Sequence, residues 1–166
     1  MKRIGILGGI SHESTAEYYK LILRKYYERK KDYYFPEIVI YSLNFQKFTD
    51  FENDKDIEGY IECIMEGINN LQNADVDFII MAANSPHAVF EEVSKKAKVP
   101  MISIAEVTAK KAKILGAKKL LLLGIRFTMQ SRFYKDACGK NGIEVITPSE
   151  KEQDQINRII FDELCI

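Results

Sequence analysis

The chain has 166 residues, 46% of them hydrophobic, enough to bury a core in one domain and part of a second. Its 24 basic and 24 acidic residues cancel, which argues against nucleic acid or an anionic membrane as partner, and the local basic groups read as solvated helix ends. No apolar run approaches a membrane span, Met1-Lys2-Arg3 leads directly into a strand, and the three scattered cysteines suggest neither a disulfide framework nor a zinc site. A cytoplasmic protein is expected. Cys63, Cys138 and Cys165 are expected to be small buried apolar residues.

Strand and helix signals then alternate along the chain. Strands are predicted at 3–7, 37–42, 77–82, 100–103, 119–123 and 144–147. Helices are predicted at 13–30, 56–73, 88–96, 105–115, 129–140 and 150–165. Gly116 and Asn141-Gly142 stand where helix C-termini favour a positive φ. The segment 44–55, rich in Asp, Asn and Phe, reads as the longest loop; it follows the second strand and is expected to wall a ligand site. The pattern is α/β, a parallel sheet with helices on its faces.

The most informative stretch is Phe78-Ile79-Ile80-Met81-Ala82-Ala83-Asn84-Ser85-Pro86-His87. Its apolar run suits a strand covered on both faces. Ser85 is read as the N-cap and Pro86 as the first residue of the following helix. Amide hydrogens at such a start attract an anion, and a small carboxylate is the expected guest, with Asn84 and Ser85 beside it.

The chain also echoes itself. With Gly9 laid over Gly124, Ile6-Leu7 meets Leu121-Leu122 and Tyr18-Tyr19-Lys20 meets Phe133-Tyr134-Lys135. Two pseudo-symmetric half-domains are expected, at 1–104 and 105–166, the second incomplete. The equivalent of Ala83 in the second copy would fall beyond Ile166, so a truncated chain is expected, ending on a helix with Ile156, Ile159, Ile160 and Leu164 poorly covered.

Gly8-Gly9-Ile10-Ser11-His12-Glu13-Ser14-Thr15, with Tyr18-Tyr19 following, resembles the opening signature of the aspartate/glutamate racemase family. Asn84-Ser85-Pro86-His87 resembles that family's Cys-Asn-Thr-x-His block, 127–134 its second-domain turn, and 157–164 its late helix. The resemblance spans nearly the whole chain. It implies two flavodoxin-like α/β domains, racemisation of acidic amino acids without pyridoxal phosphate or any other cofactor, and a homodimer for which the aromatic runs 18–19, 26–27 and 33–35 offer an interface; two histidines with no carboxylate spacing make no metal site. It also implies one acid/base residue on each side of the substrate Cα, since the proton leaves one face and returns on the other. On this alignment Ala83 occupies the first acid/base position, and the segment bearing the second is absent.

The expected substrate-binding set is Ser11, Asn44, Asn84, Ser85 and Thr128. Ser85, or a water that it holds, and His87 are weak candidates for moving a proton. Ser85 reads first as a cap and carboxylate ligand, and His87 as a group that orients the turn by bonding a backbone carbonyl. The other function class is a catalytically silent carboxylate-binding protein on the same scaffold, in which Ala83 replaces the working thiol. Dinucleotide binding is disfavoured: Gly5-Ile6-Leu7-Gly8-Gly9 lacks the G-x-G-x-x-G spacing, and Ser42-Leu43-Asn44 offers no acid for a ribose.

Overall fold

The computed structural model describes residues 2–164. The chain divides into two compact units, residues 1–102 and 103–166. The first holds β1 (Ile4–Gly8), α1 (His12–Lys30), β2 (Ile38–Ser42), α2 (Phe45–Asp54), α3 (Ile57–Asn73), β3 (Phe78–Met81), a 3₁₀ turn (Ser85–Val89), α4 (Phe90–Lys96) and β4 (Met101–Ile102). Its strands form one parallel sheet in the order β2-β1-β3-β4, with Ile6 level with Ile40 on one side and Ile80 on the other.

The alternation of side chains across the strands decides which helices cover which face. Leu7, Ile79 and Met81 pack with Ile64, Ile68 and Leu71 of α3 in the main core. Each fully buried side chain of this size contributes roughly 1.5–3 kcal/mol. Gly67 lets α3 lie close to the sheet, because a Cβ there would run into the Leu7 side chain.

The second unit holds α5 (Ile104–Ile114), β5 (Lys119–Leu121), α6 (Arg126–Gln130), α7 (Phe133–Gly139), β6 (Glu144–Ile146), α8 (Glu150–Ile159) and a π turn (Ile160–Leu164). Strands β5 and β6 pair in parallel. Ala105, Ala109 and Ala112 give α5 a shallow face that packs with Tyr134, Ala137 and Cys138 of α7. Ser103 caps α5 by accepting the Glu106 amide, and Ser149 with Glu152 forms a capping box on α8.

All six predicted strands are present, within two residues at either end. Four other readings need correction. The segment 44–55 is not a loop but carries α2, because Asn44 caps it and Phe48 and Thr49 face inward. The helix expected at 129–140 is two, α6 and α7, separated by Ser131 in extended conformation. The last helix widens into the π turn at Ile160, and Cys165 lies outside the described residues.

The fourth correction concerns Ser85, which is no N-cap. It opens the 3₁₀ turn, the preceding Asn84 is already in the right-handed helical region, and no side-chain cap bond forms there. The positive φ expected at helix ends is found at Gly116 and Gly142, and Cys63 and Cys138 are buried. Among the described residues no helix is long and apolar enough to cross a membrane.

Candidate functional site

In the first unit the strand order reverses between β1 and β3: the chain leaves β1 for β2 on one side and returns to β3 on the other. Loops diverge at such a switch point, and ligands of open parallel sheets sit outside the carboxyl ends of the strands there. The residues at those ends are Gly8-Gly9 and Ala82-Ala83. They belong to the two sequence blocks singled out above.

Short hydrogen bonds tie the three loops of this edge together. The Leu43 amide donates to the Gly8 carbonyl at 3.0 Å and the Ala82 amide to the Leu7 carbonyl at 2.9 Å. Gly9 has φ +86°, and a Cβ on it would collide with the Leu43 backbone, so only glycine suits both the conformation and the approach. The Thr15 hydroxyl accepts from the Gly9 amide at 3.0 Å and donates to the Ser11 carbonyl at 2.9 Å. The Ser14 hydroxyl lies 2.6 Å from the Ala82 carbonyl and 3.1 Å from that of Ser11, linking the turns that follow β1 and β3.

Ser11 is the half-buried residue preceding α1, and its side chain makes no cap bond. Asn44 is exposed and caps α2, its Oδ1 accepting the Lys47 amide at 3.0 Å. Asn84 is exposed at the head of the 3₁₀ turn, while the Ala83 methyl packs against the main core. Loops of the first unit therefore carry Ser11, Asn44, Ala83, Asn84 and Ser85 on one sheet edge. Thr128 belongs to the second unit, where it is buried in α6 with its side chain against Gly124.

Ser85 is only 4% exposed, and its hydroxyl bonds the Glu52 carboxyl on α2. Tyr60 of α3, 2% exposed, donates its phenol to Glu52 Oε1 at 3.1 Å. Burial pushes the Glu52 carboxyl up from the usual carboxylate range, against the hydrogen bonds from Ser85 and Tyr60. Burial likewise raises the Tyr60 phenol. Neither Glu52 nor Tyr60 was singled out from sequence, although Glu52 stands one helical turn after the inward-facing Phe48.

His87 is just as enclosed. Its Nδ1 lies 3.0 Å from the Ala83 carbonyl and its ring stacks on Phe90 at 5.4 Å. A carbonyl only accepts, so Nδ1 carries the proton. Burial pulls the imidazole down to about 4, leaving it neutral near pH 7 and turned away from solvent. It orients the turn, as its position after Pro86 suggested. His12 is exposed, with Nε2 3.1 Å from Glu13.

Burial raises the thiols of Cys63 and Cys138, the opposite of what a reactive thiolate needs. No group of three or more His, Cys, Asp or Glu among the described residues is arranged to hold a metal. Backbone amides, carboxamides and hydroxyls therefore dominate the chemistry of this edge, a donor set that matches an anion better than a cation.

The family model for Asp/Glu/Hydantoin racemase matches residues 7–164. The chain belongs to the Asp/Glu racemase family. It is 32% identical over 160 residues to the broad specificity amino-acid racemase RacX of Bacillus subtilis (strain 168), covering 95% of this chain and 69% of that protein. It is 40% identical to a crystal structure of an aspartate racemase homologue from Pyrococcus horikoshii OT3, with a TM-score of 0.83 over 99% of this chain and 72% of that one. An aspartate racemase from Picrophilus torridus, at 21% identity and TM-score 0.73 over 97% of this chain and 74% of that one, shares the fold. Membership gives the chain a racemase-type isomerase ancestry and an α/β architecture whose second unit is partial.

Proposed function

We propose that this chain is a cofactor-independent amino-acid racemase-type isomerase. The edge of β1 and β3 receives the carboxylate of a small amino acid, and the Cα proton is removed and returned. The observation that carries the reading is the switch point itself: the Ser11 and Asn84 turns are tied across it by Ser14, beside Asn44. Donors preorganised around a carboxylate stabilise the negative charge that spreads onto its oxygens as the Cα proton leaves. Ser11, Asn44 and Asn84 are the proposed donors, with Ser85 acting through the backbone it anchors. A second copy of the chain is the proposed macromolecular partner, through the aromatic surface on which Tyr27 stacks on Tyr33 and Phe35 meets Tyr33 edge-on.

One observation favours a second reading. The position that matches the family's first acid/base residue is the methyl of Ala83, and the nearest ionisable ring, His87, is held neutral and bonded to the backbone. On that reading the protein binds its amino acid and leaves it unchanged.

Incubation with acidic and neutral amino acids in D₂O separates the two. Slow incorporation of deuterium at Cα, without added cofactor, is the expected result. Ligand-induced thermal stabilisation with no incorporation for any amino acid would establish the silent reading instead.

A further inference from the structure

Glu52 and Tyr60, behind the Asn84 turn, have no part in the chemistry described so far, yet with Ser85 they join three elements. Glu52 comes from α2, Tyr60 from α3 and Ser85 from the 3₁₀ turn. A carboxyl in a largely apolar setting is destabilising unless hydrogen-bonded, and apolar packing was open to this site, since the Phe48 and Tyr60 rings meet at 4.7 Å. The corner that presents Glu52 and Tyr60 to each other is tight. Asp56 caps α3 by accepting the Gly59 amide at 3.0 Å, and a Cβ on Gly59 would reach Phe51.

The turn needs such support. Pro86 contributes no N–H, so the backbone of residues 84–87 has fewer hydrogen bonds of its own to set its shape. Two side chains hold it from behind: His87 bonds the Ala83 carbonyl and Ser85 bonds Glu52. Both point inward, while Asn84 stays exposed.

We propose that Glu52 is a positioning residue for the amino-acid site: with Tyr60 it grips the Ser85 hydroxyl and fixes the Asn84–Pro86 backbone in the shape that meets the substrate carboxylate. This rests on the carboxylate-binding reading above. Glu52 acts through Ser85 and does not touch substrate. Protonating Glu52 weakens its grip, because a neutral carboxyl accepts hydrogen bonds more weakly than a carboxylate. The groups facing it are Tyr60 from α3 and Ser85 from the turn, with His87 two residues further along.

The test follows the ¹³C carboxyl shift of Glu52 and the ¹⁵N–¹H shifts of Asn84, Ser85 and His87 in the full chain, from pH 7.5 downward, in the wild type, Glu52→Gln and Ser85→Ala. The wild-type amides should follow the Glu52 midpoint, above that of an ordinary glutamate and separate from His87 near 4. In Glu52→Gln the amide curve should be flat over that range, and in Ser85→Ala the carboxyl should titrate without moving the amides. Amides that ignore Glu52 in the wild type, or still titrate at the Glu52 midpoint in Glu52→Gln, overturn the proposal.

Aspartate affinity provides the second arm. Glu52→Gln should weaken it about tenfold near neutral pH and remove the acid-side inflection of its pH profile. A wild type whose amides follow Glu52 but which binds no amino acid sinks the carboxylate reading and keeps the clamp. Binding that persists unchanged in Glu52→Gln sinks the clamp and keeps the reading.

Discussion

The corner after β1 and the corner after β5 use the same parts with different tightness. In both, a glycine ends or follows the strand and a buried threonine from the next helix sits on that glycine. A Cβ on Gly8 would lie 2.6 Å from the Thr15 hydroxyl, whereas one on Gly124 would lie 3.2 Å from the Thr128 methyl. The first corner also has Gly9, with its positive φ and the Leu43 backbone against it; Gly124, laid over Gly9 in the sequence echo, has neither. The difference teaches that the repeated strand–glycine–threonine device serves packing in both units, and that close approach of neighbouring loops is added at the proposed site beside β1 and β3.

Replacement of the glycines tests that contrast most severely. Gly9→Ala should destabilise the chain by about 4 kcal/mol, the sum of a left-handed alanine and a backbone collision. Gly124→Ala should remain within about 1 kcal/mol, since its neighbour needs to move only a few tenths of an ångström. Urea unfolding of the two variants measures both; equal losses would erase the distinction between the corners.

Acid sensitivity should separate the corners next. His87 is neutral in the fold, its value lowered from 6.5 to about 4, so the unfolded chain binds the extra proton first. Stability is complete above pH 6.5 and falls as the pH drops through that window, by up to about 3 kcal/mol near pH 4. Glu52 contributes with the opposite sign: its raised value favours the fold when protonated, so its contribution is lost as pH rises from the ordinary glutamate value to the folded one. Thermal melts of His87→Gln against wild type should show the acid-side loss flattened in the variant. A parallel decline in both would remove His87 from the account.

Two serines sharpen the comparison on a smaller scale. Ser14 spans two loops to reach the Ala82 carbonyl, while Ser131 bonds the Phe127 carbonyl within its own turn. Ser14→Ala should cost about 1 kcal/mol and disturb the amides of residues 82–84, and Ser131→Ala should cost less and disturb nothing distant. The smallest effect on stability is expected at Tyr33, 77% exposed in the aromatic surface. Tyr33→Lys should change unfolding by less than about 0.5 kcal/mol yet shift the proposed dimer toward monomer in light scattering.

What the sequence disclosed follows from how local each signal is. The strands were legible because Ile4–Gly8 and Phe78–Met81 are short apolar runs bounded by turns, and Gly116 and Gly142 marked helix ends by a property of glycine alone. Helix α2 was hidden by its Asp and Asn content, although the spacing of Phe45, Phe48 and Glu52 was helical. The direction of the Ser85 side chain was not legible at all. Its partners Glu52 and Tyr60 lie far back in the chain and meet it only once α2 and α3 have packed. Ala83, Asn84 and Ser11 were singled out through the family resemblance and the loop pattern, and the switch point gives their grouping a physical reason.

The central claim is that the carboxyl edge of β1 and β3 receives an amino-acid carboxylate. Titrating the ¹⁵N-labelled chain with aspartate, and in parallel with its α-amide, addresses it most directly. The account predicts saturable shifts centred on the amides of residues 9–11 and 83–85 with aspartate, and far weaker ones when the α-carboxylate is replaced. Saturable shifts that leave those amides still, or that are the same for both ligands, would contradict it.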